Sequence, residues 1–483
     1  MGLEEHSEGE RFVVFNSLEF LTFVVIAFAV YWALGSFRSG QNAFLLVASY
    51  VFYGWWNWRY LFLIAGCSTA NFIAGRIIYE SQSRWVRRLA LTFCCVICLG
   101  ALGVFKYFNF FTDSFAAMLR LLGVSWNPLV LNVMLPVGIS FFTFQALSYT
   151  IDIMLGKLQP TRDWVEFFVF ISFFPQLVAG PIERATNLLP QFQKSRRFDF
   201  DAATHGICLI AYGLFKKMVV ADTLALYVDK VFAMPELYSS VTCIIGAFFF
   251  SIQIYCDFSG YSDCARGVAA LFGFKLMLNF DRPYLASNFI DFWRRWHISL
   301  STWFKDYVYI PLGGSRVGLA KTIRNIWVVF ILSGLWHGAA WTFVVWGALH
   351  ALFQTYNVLV RNIGWGNECS LPKRILSTIG VNIAVAFAWI FFRAATFEEL
   401  SKYMNVLFSG RFATSMMGLC ASLGPMVFAM CIVAVLLLSL SYCCPRDCAF
   451  KTLKARFLFT IMCVASIAFM GMPSGGEFIY FQF

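Results

Sequence analysis

IRNIWVVFILSGLWHGAAWTFVVWGALHALFQTYNV, Ile323–Val358, is the run on which the fold turns. A bilayer's hydrocarbon core needs about 20 consecutive apolar residues for one helical crossing, and this run exceeds that length. A histidine, His337, stands in the middle of it between Gly334 and Gly338. A polar side chain at membrane depth is costly unless it is satisfied, so it is a functional candidate by default.

The rest of the chain has the same character. Of its 483 residues 60% are apolar and 13% charged, against about 25% charged in soluble domains. Apolar runs recur at Leu18–Leu34, Ala43–Trp56, Tyr60–Ile78, Leu89–Phe111, Leu129–Ile153, Phe167–Gly180, Gly206–Phe232, Val241–Tyr255, Ile375–Phe392, Val427–Ser441 and Phe457–Met472. The fold class expected is an all-α polytopic membrane protein of about ten to twelve transmembrane helices. Trp55, Trp56 and Trp58 mark an interfacial aromatic anchor.

The net charge is +11, with Lys and Arg clustered at the ends of apolar runs. That pattern reads as membrane topology and headgroup contact with the lipid bilayer, and no nucleic-acid partner is expected. Arg76, Arg84, Arg87 and Arg88 place one early loop on the cytoplasmic side and the acidic N-terminus outside. No secretory leader is visible in the acidic start, MGLEEHSEGER. The fifteen cysteines lie mostly inside apolar runs and none has a metal spacing with histidine. They read as small buried hydrophobes, with neither a metal site nor a disulfide framework expected.

One region, Cys256–Arg324, breaks the apolar pattern, beginning with the polar residues of DFSGYSDCARG (Asp257–Gly267). Between Asp291 and Arg324 six basic residues and two acidic ones accompany WRRWHISLSTWFKDYVYIPLGGSR, Trp293–Arg316. Trp293–Tyr309 is too charged to face lipid and too aromatic for an open loop, so an amphipathic or re-entrant helix covered by protein is expected. It carries His297, with Ser301 on the same face if the segment is helical. An interfacial belt histidine is the plain alternative. For His337 the plain alternative is a buried imidazole bonded to a neighbouring helix. The flanking glycines admit either a substrate or another backbone close to the ring, and Trp336 and Trp341 are candidate walls of a narrow tunnel.

No G-x-S-x-G elbow, P-loop, Rossmann fingerprint or H-E-x-x-H occurs. Histidine is the side chain best suited to move a proton near neutral pH. Two of them without a nucleophile elbow fit direct transfer, in which an imidazole takes a proton from a hydroxyl that attacks an activated carbonyl.

At this point the residues carry a resemblance over nearly the whole chain. FNSLEF (Phe15–Phe20), LPVGISFFTFQALSYTIDI (Leu135–Ile153), FFPQLVAGPIER (Phe173–Arg184), DFSGYSDCARG (Asp257–Gly267), the block Asn279–Arg316 and SGLWHGAAWTFVVWGALHA (Ser333–Ala351) resemble, in order, the bacterial polysaccharide branch of the membrane-bound O-acyltransferases, the alginate O-acetyltransferase type. The resemblance implies a ring of helices with re-entrant or amphipathic pieces around a central tunnel. It implies that an acetyl group passes from a cytoplasmic thioester donor, acetyl-coenzyme A, to an outward-facing hydroxyl of an extracytoplasmic polysaccharide or cell-wall glycan. No bound cofactor is implied. His337 matches the family's essential catalytic histidine, and His297 its second active-site position. An extracytoplasmic acetyltransferase or esterase-like partner protein and a location in the bacterial cytoplasmic (inner) membrane are also implied.

The resulting division is an acidic extension, 1–14, an acyltransferase domain, 15–477, and an aromatic tail, 478–483, FIYFQF. Tyr480 has the only hydroxyl in that tail. The tail resembles the aromatic ending of the small partner peptide of the teichoic-acid D-alanylation system, and that resemblance implies that Tyr480 is an acyl relay, with an interfacial aromatic end as the alternative. Ser301 and Asp257 join Trp336 and Trp341 as tunnel candidates. Lys216, Lys217, Arg294 and Arg295 are candidates for the donor's phosphates, although positive-inside bias explains them as well. D-alanyl or other acyl transfer is the alternative within the family. A transporter, with Asp257, Asp263 and Arg266 lining its path, is the alternative of another class.

Overall fold

The computed structural model describes residues 15–178, 180–362, 370–411, 425–443, 452–472 and 478–479. The acidic stretch 1–14 and Tyr480 lie outside the described residues. Every regular element described is helical, as lipid requires of a chain that must satisfy its backbone polar groups internally. Among the described residues, seven helices are long and apolar enough to cross a membrane, and three apolar helices of 10–17 residues are shorter.

The chain divides into two compact units. The first comprises Met1–Ile210 with Ser262–Met277. Ser17 starts its first helix, Leu18–Ala33, by accepting the Phe20 amide at 3.1 Å. The helices Tyr60–Glu80 and Ile139–Met154 pack against each other where Gly75 is bare: a Cβ there would lie 2.8 Å from the Tyr149 ring. The apolar run Leu129–Ile153 becomes helical only at Ile139. Gly138, at φ +76°, precedes it, and a Cβ at Gly138 would sit 2.5 Å from the Leu177 carbonyl oxygen. Trp55 and Trp58 are exposed as an interfacial anchor would be, while Trp56 is buried and stacks on Tyr60 at 5.1 Å.

Within the same unit the loop after FFPQ buries Glu183 completely. Its carboxylate accepts the Met277 amide and, at 2.7 Å, the Asn187 side-chain amide. Burial pushes this carboxyl up to about 7 from an ordinary 4.5, against the pull of those hydrogen bonds.

The second unit comprises Ala211–Tyr261 with Leu278–Phe483. The run Ile323–Val358 is two helices here, Leu319–His337 and Trp341–Asn362. Two glycines let them pack backbone to backbone. A Cβ on Gly334 would lie 2.3 Å from the Phe343 carbonyl oxygen, and one on Gly347 would lie 2.3 Å from that of Phe330. The turn between them begins at Gly338, whose extended backbone ends the first helix and whose absent Cβ leaves room for the Phe343 ring.

Helix Ser240–Leu271 contributes its Ser240–Tyr261 part to this unit. It runs well past Tyr255, where the apolar pattern stops. The polar residues that suggested a break are satisfied locally. Asp257 pairs with Lys217 at 2.8 Å, and, on the stretch belonging to the first unit, Asp263 pairs with Arg266 at 2.9 Å.

Candidate functional site

The second unit brings the two sequence-predicted histidines together. His337 is the last residue of Leu319–His337, not the middle of an unbroken span as the apolar run suggested. Its ring is buried among Trp336 (5.0 Å between centroids), Trp346 (5.0 Å) and Phe392 (5.3 Å). His297 lies 6.4 Å from it, centroid to centroid, and Trp336 contacts both, being 5.9 Å from His297.

The segment around His297 is not one helix. It is a helix Phe289–Arg295, a second Ile298–Phe304, and a π-turn Lys305–Tyr309. His297 caps the second helix in the left-handed region, φ 42°, ψ 55°. That conformation is disfavoured for a residue with a Cβ, and it persists only where surrounding contacts over-determine it.

Asn279 supplies those contacts. Its carbonyl oxygen accepts the Ser299 amide at 3.2 Å and the Ser299 hydroxyl at 2.9 Å, and it faces His297 Nδ1 at 3.2 Å. The Ser299 amide can only donate, so it fixes which end of the Asn279 side chain is oxygen. That oxygen can only accept, so the His297 proton sits on Nδ1, and Nε2 carries the lone pair. Phe258 meets the same imidazole edge-on at 4.6 Å.

Of the expected tunnel residues, Trp336 is buried between the histidines, whereas Trp341 is 52% exposed. Ser301 donates its hydroxyl to the Trp296 carbonyl at 3.1 Å and borders a cavity of about 900 Å³. Trp293, Arg294, Lys305, Ser333 and Arg361 border the same cavity. Asp257 is not among the residues that border this cavity. It is buried, ion-paired with Lys217, and accepts the Ile479 amide at 2.8 Å.

The donor candidates separate in the same way. Lys216 and Lys217 are buried. Lys216 donates to Ser259 at 3.0 Å and sits over the Tyr212 ring, and Lys217 bridges Asp222 and Asp257. Neither is placed at an open mouth. Arg294 is exposed at the cavity, and Arg295 pairs with Asp291 at 3.0 Å.

Three further residues complete the surroundings. Asn279 is one. The others are Trp346 and His350, on the helix after His337. His350 Nδ1 accepts the Trp293 indole N–H at 3.3 Å, and Trp346 packs 4.8 Å from the His350 ring. An aromatic wall therefore runs from the cavity-lining Trp293 through His350 and Trp346 to His337.

This arrangement meets independent comparisons with known proteins. Residues 159–393 match the model of the membrane-bound O-acyltransferase family. The chain is 35% identical to the probable alginate O-acetylase AlgI of Pseudomonas putida over 98% of its own length and 100% of that protein. It is 34% identical to the peptidoglycan O-acetyltransferase of Helicobacter pylori, over 81% of this chain and 79% of that one. It is 28% identical to the teichoic acid D-alanyltransferase of Bacillus subtilis, over 54% and 68%. The chain, a multi-pass membrane acyltransferase, belongs to the membrane-bound O-acyltransferase family.

Proposed function

We propose that this acyltransferase moves an acetyl group from a cytoplasmic thioester, acetyl-coenzyme A, to an exported envelope polysaccharide or glycan, from the bacterial cytoplasmic membrane. The observation that carries the reading is the pair of buried imidazoles, His297 and His337, 6.4 Å apart inside an aromatic shell. Their catalytic roles are part of the proposal. A thioester is already activated, so the protein must mainly align the partners, exclude water and take one proton. Alignment supplies about 7–11 kcal/mol of such a barrier, and a positioned base about 10²–10⁴-fold in rate.

The step balances without a metal or redox partner. An imidazole nitrogen takes the proton of an attacking hydroxyl, and that oxygen bonds to the acyl carbon. The carbon–sulfur bond then breaks, and the departing thiolate receives the proton. The first acceptor in this reading is Tyr480, whose phenol, with a pKa of about 10, makes a leaving group good enough for onward transfer. An extracytoplasmic acetyltransferase-like or esterase-like partner then carries the group to the polymer.

The cavity bordered by Arg294, Lys305 and Arg361 supports a donor with phosphates near Ser333, one helical turn before His337. D-alanyl transfer is the second reading, favoured by the likeness to the teichoic acid enzyme. Membranes incubated with radiolabelled acetyl-coenzyme A test the first. Label bound covalently to the chain, and lost in Tyr480→Phe, is the expected result. Undiminished transfer in that variant removes the relay. No transfer from acetyl-coenzyme A, with transfer from a D-alanyl carrier protein, selects the second reading.

A further inference from the structure

A buried Lys217 lies between two buried carboxylates, 2.8 Å from Asp222 and 2.8 Å from Asp257. One ammonium against two carboxylates leaves an excess of negative charge in a dry site, which is costly unless further donors meet it. The donor is the backbone of a distant segment: Ile479 N–H reaches Asp257 Oδ2 at 2.8 Å.

The surroundings fit a seat for that segment. Lys216 and Lys217 ride on a π-turn, Phe215–Ala221, a geometry that recurs at functional sites. Gly260 lets helix Ser240–Leu271 approach it, because a Cβ there would lie 3.3 Å from the Lys217 amide nitrogen. The same π-turn tethers the chain after helix Leu453–Met470, through the Met472 amide on the Met218 carbonyl at 3.2 Å. Phe478 is fully buried, 4.3 Å from the Tyr261 ring and 5.8 Å from Phe258, and Phe258 meets His297.

We propose that Asp257, with its charge set by Lys217, is a positioning residue that seats Phe478–Ile479 beside the His297 wall. It thereby fixes where the next residue, Tyr480, enters the reaction. The consequence for Tyr480 rests on the acyl-relay reading; the seat itself does not. An ionised acceptor is the strong form of such a hydrogen bond.

Two variants isolate the bond in the full-length chain. Ile479→Pro deletes the donor and leaves the Lys217 ion pairs intact. Asp257→Ala deletes the acceptor and leaves one ammonium against one carboxylate. Chymotryptic release of the segment beyond Tyr480 from detergent-solubilised protein, read by intact mass, reports the seat without reference to activity. Each single variant is expected to speed release about 10-fold, the loss of one charge-assisted hydrogen bond. The double variant is expected to be no faster than the faster single. Asp257→Asn, which keeps an acceptor oxygen, is expected to restore much of the protection.

Release at the wild-type rate in Ile479→Pro, or effects that multiply in the double variant, overturn the proposal. Acyl transfer is read in parallel. If Tyr480→Phe leaves transfer intact while the two positions remain coupled, the seat stands and only the relay fails.

Discussion

His297 and His337 face each other with ring centroids 6.4 Å apart and an interplanar angle of 58°. That is too far for a direct stack. A single hydroxyl oxygen between them could lie within hydrogen-bond reach, about 2.6–3.2 Å, of a nitrogen on each. Residues acting as such a unit lose function together. His337→Ala and His297→Ala are each expected to lower acyl transfer about 10²–10⁴-fold. The double variant is expected to be little worse than the weaker single, as with other catalytic sets that act jointly. Initial rates in membranes normalised for protein content check this, and independent, multiplying losses would separate the two residues.

Asn279 contacts His297 and Ser299. Its oxygen holds the imidazole tautomer and the strained φ 42° backbone together. Asn279→Leu, of similar size but without an acceptor, is expected to cost about tenfold or more in kcat with KM little changed, in line with other outer-shell partners of functional histidines. A rise in KM with unaltered kcat would place Asn279 in binding instead.

The glycines of the helical pair make a stability prediction. Gly334 and Gly347 each face a carbonyl oxygen at 2.3 Å from where a Cβ would stand. Backbone cannot yield as a flexible side chain does, so Gly334→Ala and Gly347→Ala are each expected to destabilise by about 1–3 kcal/mol. Gly380, with no atom within 4 Å of its would-be Cβ, is the control. Gly380→Ala is expected to be neutral or stabilising by a few tenths to about 1 kcal/mol. Thermal midpoints in detergent distinguish the three, and equal effects at all three sites would contradict the packing account.

Much of this is legible in the sequence. Apolar runs revealed the membrane class because lipid leaves the backbone few options. The two histidines stood out because polar groups are scarce in such runs. What sequence could not show was where helices end. Ile323–Val358 reads as one span, yet it breaks after His337 because Gly338 must admit the Phe343 ring, a contact made only in three dimensions. Lys216 and Lys217 read as a basic mouth until the fold buries them against Ser259, Asp222 and Asp257. Asn279 and His350 carried no local signal, since their roles come from partners 18 and 57 residues away.

The pH response of the fold gives the last prediction. Glu183 is buried with its carboxyl pushed up to about 7, chiefly by loss of water. A carboxyl whose folded pKa is raised binds its proton more tightly when folded. Its contribution is therefore complete below its ordinary 4.5 and disappears as pH rises through about 7. The detergent-solubilised protein is expected to lose thermal stability between these two values. Glu183→Gln keeps the side-chain shape and an acceptor oxygen for the Met277 amide but cannot titrate, so it is expected to flatten that slope. An equal slope in wild type and variant would assign the pH dependence to other groups. A flat interval, with stability lost only as pH falls below 4.5, would mean that the Met277 and Asn187 hydrogen bonds outweigh burial and hold the carboxylate ionised.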